Sequence, residues 1–459
     1  MSTTAQTSRL SELANGFAGT IITAADAAYD EARTMWNGAI DKRPAVIAQC
    51  TTPEDVAAAI RAARDLGLEI AVRGGGHSAA GMGTVHGGLV VDMRWMNAVS
   101  VDPAGRTARV GGGATMSHLD RGTEPYGLAT TGGRVSTTGV GGFTLNGGTG
   151  WLDRVYGLAC DNLVAVDLVT ADGEAVTASE SEHPDLFWAL HGGGGNFGVA
   201  TSFTFRLHEL PQVTVALLLS RPEAGPEVTR AFRDVVESGP DELSGGVLYL
   251  TAPEEEFVPE HLVGKLACLT VVTYAGPEAA AREAMRPLLE LGYEGEMVME
   301  MPYAELQCAL DDPPGYRVYW SAENLSSLPD EAVDRFTDRA ADLLVPSPSQ
   351  HVLFAQGGAM ARGNPDFPVP WRAAPWVVHP FGSWEDPADD DRVRQWARDV
   401  CADVRPWSMD AVYLNFLTDP DPDRMVASLG EASYGRLTEV KRRYDPDNVF
   451  HLNHNIAPR

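Results

Sequence analysis

The 459-residue sequence contains no CxxC pair, no GxxxxGK[ST] loop and no run of about 18 consecutive apolar residues. The first absence removes the usual zinc and disulfide frameworks. Its cysteines number five (Cys50, Cys160, Cys268, Cys308 and Cys401) and lie far apart. The second removes a nucleoside-triphosphate site of the P-loop kind, and the third a transmembrane helix. Basic side chains are also scarce: 35 Lys and Arg face 63 Asp and Glu, for a net charge of −28. A surface that negative repels phosphate backbones and anionic lipid, so neither a nucleic acid nor a membrane is the expected partner. The opening stretch, MSTTAQTSRLSELANGF, lacks the charged-then-apolar order of a secretory signal, and the expected compartment is the cytoplasm.

What is present fits two large domains. Ala45–Ile47 reads as a strand. Thr52-Pro53-Glu54-Asp55 reads as a helix start, with a Thr cap, Pro in the first turn and an acid three residues on. Val56, Ala59, Ile60 and Ala63 share one face, Gly67 ends the helix, and Leu68–Val72 is the next strand, completing a βαβ unit. Further strands are expected at Leu89–Met93, on both sides of Pro103-Ala104-Gly105, at Asn162–Thr170 and at Val199–Leu207. From Pro211 the glycine clusters thin out, and strands alternate with helices such as Glu278–Gly292 and Asp330–Leu344. These changes divide the chain into one domain of residues 1–209 and 406–459 and a second of 210–405.

The segment Arg73-Gly74-Gly75-Gly76-His77-Ser78 directly follows a strand. Successive glycine amides there form an anion cradle suited to a pyrophosphate, and Arg73 adds a forked, charged donor. No amphipathic helix follows, so the pattern departs from the dinucleotide fingerprint of nicotinamide enzymes. His77 stands at the exit of this cradle, where a ring nitrogen would face a bound cofactor. Metal binding is not indicated, because His451 and His454 lack a third ligand.

VRGGGHS followed by GGLVVDM resembles the FAD-binding loop of the PCMH-type flavoproteins, the vanillyl-alcohol-oxidase superfamily. The resemblance runs nearly end to end, and is closest to the berberine-bridge-enzyme group, near hydroxynicotine oxidases and bacterial polyketide-tailoring flavoenzymes. It continues through Gly139-Val140-Gly141-Gly142-Phe143, Gly147-Gly148-Thr149-Gly150-Trp151, YGLACDN from Tyr156, HPDLFW from His183, Gly192 to Val199 and YDPDNVF from Tyr444.

The resemblance implies an α+β fold of two domains, a PCMH-type FAD-binding domain and a substrate domain of antiparallel sheet covered by helices. It also implies FAD bonded through the flavin 8α position to His77. Relatives with a second, cysteinyl link carry that cysteine where this chain has Val135, so one covalent link is expected, with Cys160 a packing residue. The same motifs put Arg73, Gly74, Gly75, Gly76, Ser78, Thr138, Gly139, Gly142, Asn146, Gly148, Trp151, Asp161, Gly198, Val199, Asn453 and Asn455 against the cofactor. A late strand, Ala411–Phe416, would place Tyr413 and Asn415 on one face, with Tyr413 as a catalytic base or as a core aromatic. Tyr249, Gln356, Trp151 and Phe143 are further pocket candidates. The activity implied is oxidation of a small alcohol, amine or polyketide with O₂ as acceptor, by a monomer or homodimer. Two alternatives are a dehydrogenase using another acceptor and a flavin-binding protein without turnover.

Overall fold

The computed structural model describes residues 16–311 and 313–458. Most of the N-terminal stretch read for a secretory signal therefore lies outside the described residues. The chain folds as α+β in two domains. The first carries a four-stranded sheet: β1 (Thr20–Ile22), β2 (Val46–Gln49), β3 (Ile70–Arg73) and β4 (Leu89–Asp92), in the order β1-β2-β4-β3. Helix α1 (Pro53–Leu66) starts as its sequence dictates. Thr52 and Asp55 form a reciprocal capping box, and Gly67 closes the helix in the left-handed region at φ +67°. The βαβ unit is right in kind, but its two strands are not neighbours, because β4 pairs in parallel with both.

A five-stranded antiparallel sheet follows: β5 (Val99–Asp102), β6 (Thr107–Gly111), β7 (Leu163–Val169), β8 (Ala175–Ser179) and β9 (Val199–Arg206), ordered β5-β6-β9-β7-β8. Beyond it lies an eight-stranded antiparallel sheet. Its strands are β10 (Val213–Ser220), β11 (Leu243–Thr251), β12 (Leu266–Tyr274), β13 (Gly295–Met301), β14 (Arg317–Trp320), β15 (Glu323–Leu325), β16 (Gln350–Ala355) and β17 (Trp376–Trp384). The order is β13-β10-β12-β11-β16-β17-β14, with β15 also paired to β17. Helices α2 (Gly225–Ser238), α3 (Asp330–Asp338) and α4 (Asp390–Val404) cover one face through Phe232, Phe336, Trp396 and Val400. The opposite face, with Val352, Phe354 and Val377, joins the core of the glycine-rich region.

Two helices are shorter than their sequence patterns. The segment from Glu278 breaks at Met285, because Pro287 cannot donate a helical hydrogen bond. That from Asp330 ends at Asp338 and tightens into a 3₁₀ turn over Arg339–Asp342. No described helix is long and apolar enough to cross a membrane.

The tail returns through α5 (Glu431–Tyr444) and is locked by a fully buried ammonium. Lys441 Nζ donates to the carbonyls of Asn196 at 2.8 Å and Phe450 at 2.9 Å, and to Asp445 at 2.6 Å. Asp445 also accepts the amides of Val449 and Phe450. Removing one partner of such a pair leaves an uncompensated buried charge. Lys441→Met is therefore expected to cost about 3–5 kcal/mol, read as a lowered unfolding temperature. An unchanged unfolding temperature would deny the ammonium this locking role.

Candidate active site

Two glycine loops meet edge to edge at the end of β3. A Cβ on Gly75 would lie 2.4 Å from the Gly139 amide nitrogen, and one on Gly139 would lie 2.2 Å from that of Gly75. Neither position admits a side chain. Beside this contact a cavity of about 320 Å³ opens. A Cβ on Gly142 would meet nothing within 4 Å, so that backbone faces open space. Among the described residues, no amide of residues 74–78 donates to a protein acceptor. Unpaired amides on a glycine loop suit an anionic group.

At the exit of the loop, His77 Nε2 shares a 2.7 Å hydrogen bond with Thr137 Oγ1. Its ring stacks on Trp36 at 4.4 Å between centroids. Burial pushes the imidazole pKa down to about 4, so it is neutral at pH 7, and Nδ1 takes no protein partner. Asn453 also lines the cavity, with its Oδ1 buried and unpartnered. The free amides, the neutral histidine and this orphaned carbonyl fit a phosphate-bearing, flat cofactor such as FAD.

Ser78, Thr138, Gly139, Gly142, Asn146 and Gly198 line the same cavity, as do Phe143, Tyr413 and Asn415. Arg73 lines it too, but its guanidinium is turned inward. Nη1 donates to the Ala32 carbonyl at 2.7 Å and Nη2 to that of Thr34, so it braces the loop instead of extending its anion cradle.

The remaining positions marked by the motifs stand off this lining: Gly148 packs on Phe143 and Ala159, Trp151 meets Phe354 edge-on, Asp161 pairs with Arg372 at 2.7 Å, Val199 is in the core, and Asn455 lies next to Asn453 but not along the wall. Tyr249 faces the helices, beside Phe336 and His351, because strand alternation puts Leu248 and Leu250 on the cavity side. Gln356 lies just past β16, with its Oε1 accepting from Asn324 Nδ2 at 2.9 Å.

The stretch around Tyr413 is not a strand but a 3₁₀ turn over Leu414–Phe416. Tyr413 and Asn415 nonetheless meet: Asn415 Nδ2 donates to the Tyr413 hydroxyl at 2.7 Å, and that hydroxyl donates to the Phe143 carbonyl at 3.3 Å. Burial raises the Tyr413 pKa despite Asn415 and Arg134, which both oppose the rise. The residue is a neutral phenol here, not a ready phenolate.

Sequence reasoning passed over His379, the one histidine of β17. Alternation puts Val377 on the cavity face of the sheet with His379 and Phe381, and this phase was the available signal. His379 Nδ1 is 2.8 Å from the Ser321 carbonyl, which can only accept, so Nδ1 carries the proton. Nε2 then holds a lone pair with no protein partner. Burial lowers the pKa to about 4. Arg134 was also missed. It lines the cavity with its guanidinium carbon 4.0 Å from the Phe354 ring centre and Asp153 at 3.8 Å. None of the five cysteines is among the lining residues, whereas Val135 is.

Residues 44–179 match the family model of the FAD binding domain, and residues 412–457 that described as berberine and berberine like. The chain is 31% identical to (R)-6-hydroxynicotine oxidase of Paenarthrobacter nicotinovorans, over 96% of this chain and 97% of that enzyme. It superposes on 6-hydroxy-D-nicotine oxidase from Arthrobacter nicotinovorans with a TM-score of 0.86 and 28% identity, covering 96% and 98% of the two chains. The fold is shared with glucooligosaccharide oxidase from Acremonium strictum, described with a 6-S-cysteinyl, 8α-N1-histidyl FAD, at a TM-score of 0.84 and 23% identity, over 98% and 99%.

The buried histidines carry a pH consequence. His191, His351 and His379 each titrate near 4, below the roughly 6.5 of an unfolded chain. Between about pH 6.5 and 4 the unfolded state binds more protons, so stability falls as pH falls through this window. His351→Phe is expected to flatten that fall, lowering proton uptake on unfolding by about one per molecule. Calorimetry across pH 7 to 4.5 checks this, and an unchanged slope would refute it.

Proposed function

The chain belongs to the berberine-bridge-enzyme-like family of FAD-linked oxidoreductases, which act on small organic substrates, and from this we propose an oxidase that carries FAD covalently on His77 and uses O₂ as acceptor. The observation that carries this reading is the run of unpaired amides from Gly74 to Ser78 leading to a neutral imidazole. Thr137 holds Nε2, so Nδ1 is the nitrogen free to bond the flavin. The histidyl link described for the glucooligosaccharide oxidase supports this attachment, and Val135 in the cavity wall supports one link rather than two. We take residues 1–209 and 406–459 as the FAD-binding domain, 210–405 as the substrate domain, and the cytoplasm as the compartment.

Bound FAD supplies a hydride acceptor that O₂ can reoxidise. The chain supplies the rest. His379 Nε2 accepts the proton of a substrate hydroxyl or amine, with its tautomer fixed by the Ser321 carbonyl. Tyr413, held by Asn415 and the Phe143 carbonyl, orients the substrate as a neutral hydrogen-bonding group. Trp320, Phe354, Phe381 and Phe416 exclude water from the reacting atoms.

Acid-precipitated protein should stay yellow, with flavin on the peptide containing His77 and on no cysteine. Flavin released wholly into the supernatant overturns the attachment. His77→Ala should bind FAD that denaturation removes, because the amide cradle persists. A second test addresses the base. His379→Gln is expected to slow anaerobic flavin reduction about 10²–10⁴-fold, with unfolding temperature nearly kept, and Tyr413→Phe to slow it less. The wild-type rate should fall as pH drops toward 4, because Nε2 must be unprotonated to act. If Tyr413→Phe proves the more damaging variant, the base assignment fails.

A further inference from the structure

The ring that meets His77 face to face comes from outside the glycine loops. Trp36 stacks on the imidazole at 4.4 Å between centroids, with the ring planes 22° apart. It does not line the cavity, so its indole backs the histidine instead of touching a substrate. Its Nε1 is buried without a hydrogen-bond partner, so the indole is held by its faces alone. Trp320 at 5.6 Å and Phe381 at 6.4 Å pack on it from the large sheet.

The next residue fixes where that indole stands. Asn37 is buried, and its Nδ2 donates to the carbonyls of Ala79 at 2.7 Å and Val318 at 3.1 Å, while its Oδ1 accepts the Val318 amide at 3.0 Å. The Gly38 amide donates to the Tyr316 carbonyl at 2.7 Å, and the Trp36 carbonyl accepts from Gly315 at 3.1 Å. A Cβ on Gly38 would lie 2.0 Å from the Gly315 carbonyl oxygen, so the segment is seated tightly against the chain entering β14. Ala79 lies two residues beyond His77. Tryptophan and histidine are thus tied together through their own neighbours, and no ligand is needed to bring the rings into contact.

A ring nitrogen that bonds a carbon must present its lone pair in the ring plane. Thr137 holds Nε2 at 2.7 Å, and by accepting from Nε2–H it leaves the lone pair on Nδ1. One hydrogen bond sets a single point of the imidazole, however, and the plane can still tilt about it. A face-to-face neighbour removes that tilt.

We propose that Trp36 is a positioning residue for covalent attachment of the flavin, holding the His77 ring in the plane from which Nδ1 reaches the 8α carbon. This rests on the attachment reading above. One N–C bond forms, and one C–H bond of the flavin methyl and the N–H bond of the imidazole are given up. The two protons and two electrons so released reduce the flavin ring system, and O₂ takes them up again as hydrogen peroxide.

The indole also shields the imidazole from water. Burial is what keeps His77 neutral, with its pKa near 4. Charged groups on the neighbouring elements are engaged elsewhere: Arg73 with the carbonyls of Ala32 and Thr34, Arg33 with Asp30 and Asp41, Arg134 beside Asp153, and Arg317 with Asp390. His379, on the sheet behind Trp320, is itself neutral at pH 7. An uncovered ring would titrate nearer its ordinary value of about 6.5, and a protonated Nδ1 cannot form the bond.

The test uses full-length protein produced under flavin limitation and then saturated with FAD in air. Flavin retained by acid-precipitated protein is followed with time. Trp36→Met, which fills space without a flat face, is expected to slow retention about tenfold, the upper end of what a buried aromatic pair contributes. Trp36→Phe restores a smaller face and should recover most of the rate. Both variants should still bind FAD that denaturation removes. Relative to wild type, the Trp36→Met rate should fall further between pH 7 and pH 5, whereas a purely structural loss would lower it equally at every pH. Trp36→Leu repeats the comparison if Trp36→Met lowers the unfolding temperature. Attachment at the wild-type rate in the aliphatic variants overturns the proposal, as does a Trp36→Phe rate no better than theirs. Wild-type protein that releases all its flavin into acid defeats the attachment reading and this one with it, whereas normal attachment in the aliphatic variants defeats this one alone.

Discussion

The backbone contact between Gly75 and Gly139 is the constraint on which the rest of the site depends. Each would drive a Cβ to within 2.4 Å of the other's amide nitrogen, so the two loops close together only as glycine against glycine. This contact joins the end of β3 to the start of the short helix Val140–Leu145. It leaves the amides of residues 74–78 pointing away from protein acceptors. Arg73 reinforces the same geometry from behind, spending its terminal nitrogens on the carbonyls of Ala32 and Thr34. A residue expected to extend the anion cradle thus holds its shape.

The second side of the site is set by strand periodicity. On β16 and β17, residues alternate between the helix-covered face and the cavity, so His351, Leu353 and Val378 go one way while Val352, Phe354, His379 and Phe381 go the other. One step along a strand is therefore the difference between a wall of the site and a core residue under a helix. Tyr249 illustrates the point, since its neighbours Leu248 and Leu250 hold the position assumed for it.

What could be read from sequence was what local chemistry decides. The Thr52–Asp55 capping box, the Gly67 stop and the glycine loops all follow from single-residue conformational rules, and the structure has them. Most of the cofactor-side positions marked by motif lie around one cavity for the same reason. Illegible were side-chain directions that depend on partners distant in sequence. Asp161 turns to Arg372, 211 residues away, and Gln356 to Asn324 across the sheet. The Ala411–Phe416 stretch alternates like a strand, yet Tyr413 and Asn415 meet through a 3₁₀ turn that brings i and i+2 together by hydrogen bonding.

Burial without counter-charge governs the ionisation states at the centre of the site. It lowers the pKa of His77 and His379 to about 4, raises that of Tyr413, and leaves the lining without a carboxylate. A phenol kept protonated is a poor base, whereas an imidazole kept neutral presents a lone pair at every pH above its own titration. The same desolvation that keeps the Tyr413 phenol protonated keeps the His379 imidazole neutral and weakens it as a base, so the proton-accepting role proposed for His379 rests on its free, cavity-facing Nε2 and not on its pKa. Free polar atoms stand on both sides of the site, the glycine-loop amides and Asn453 Oδ1 on the cofactor domain and Trp320 Nε1 and His379 Nε2 on the large sheet.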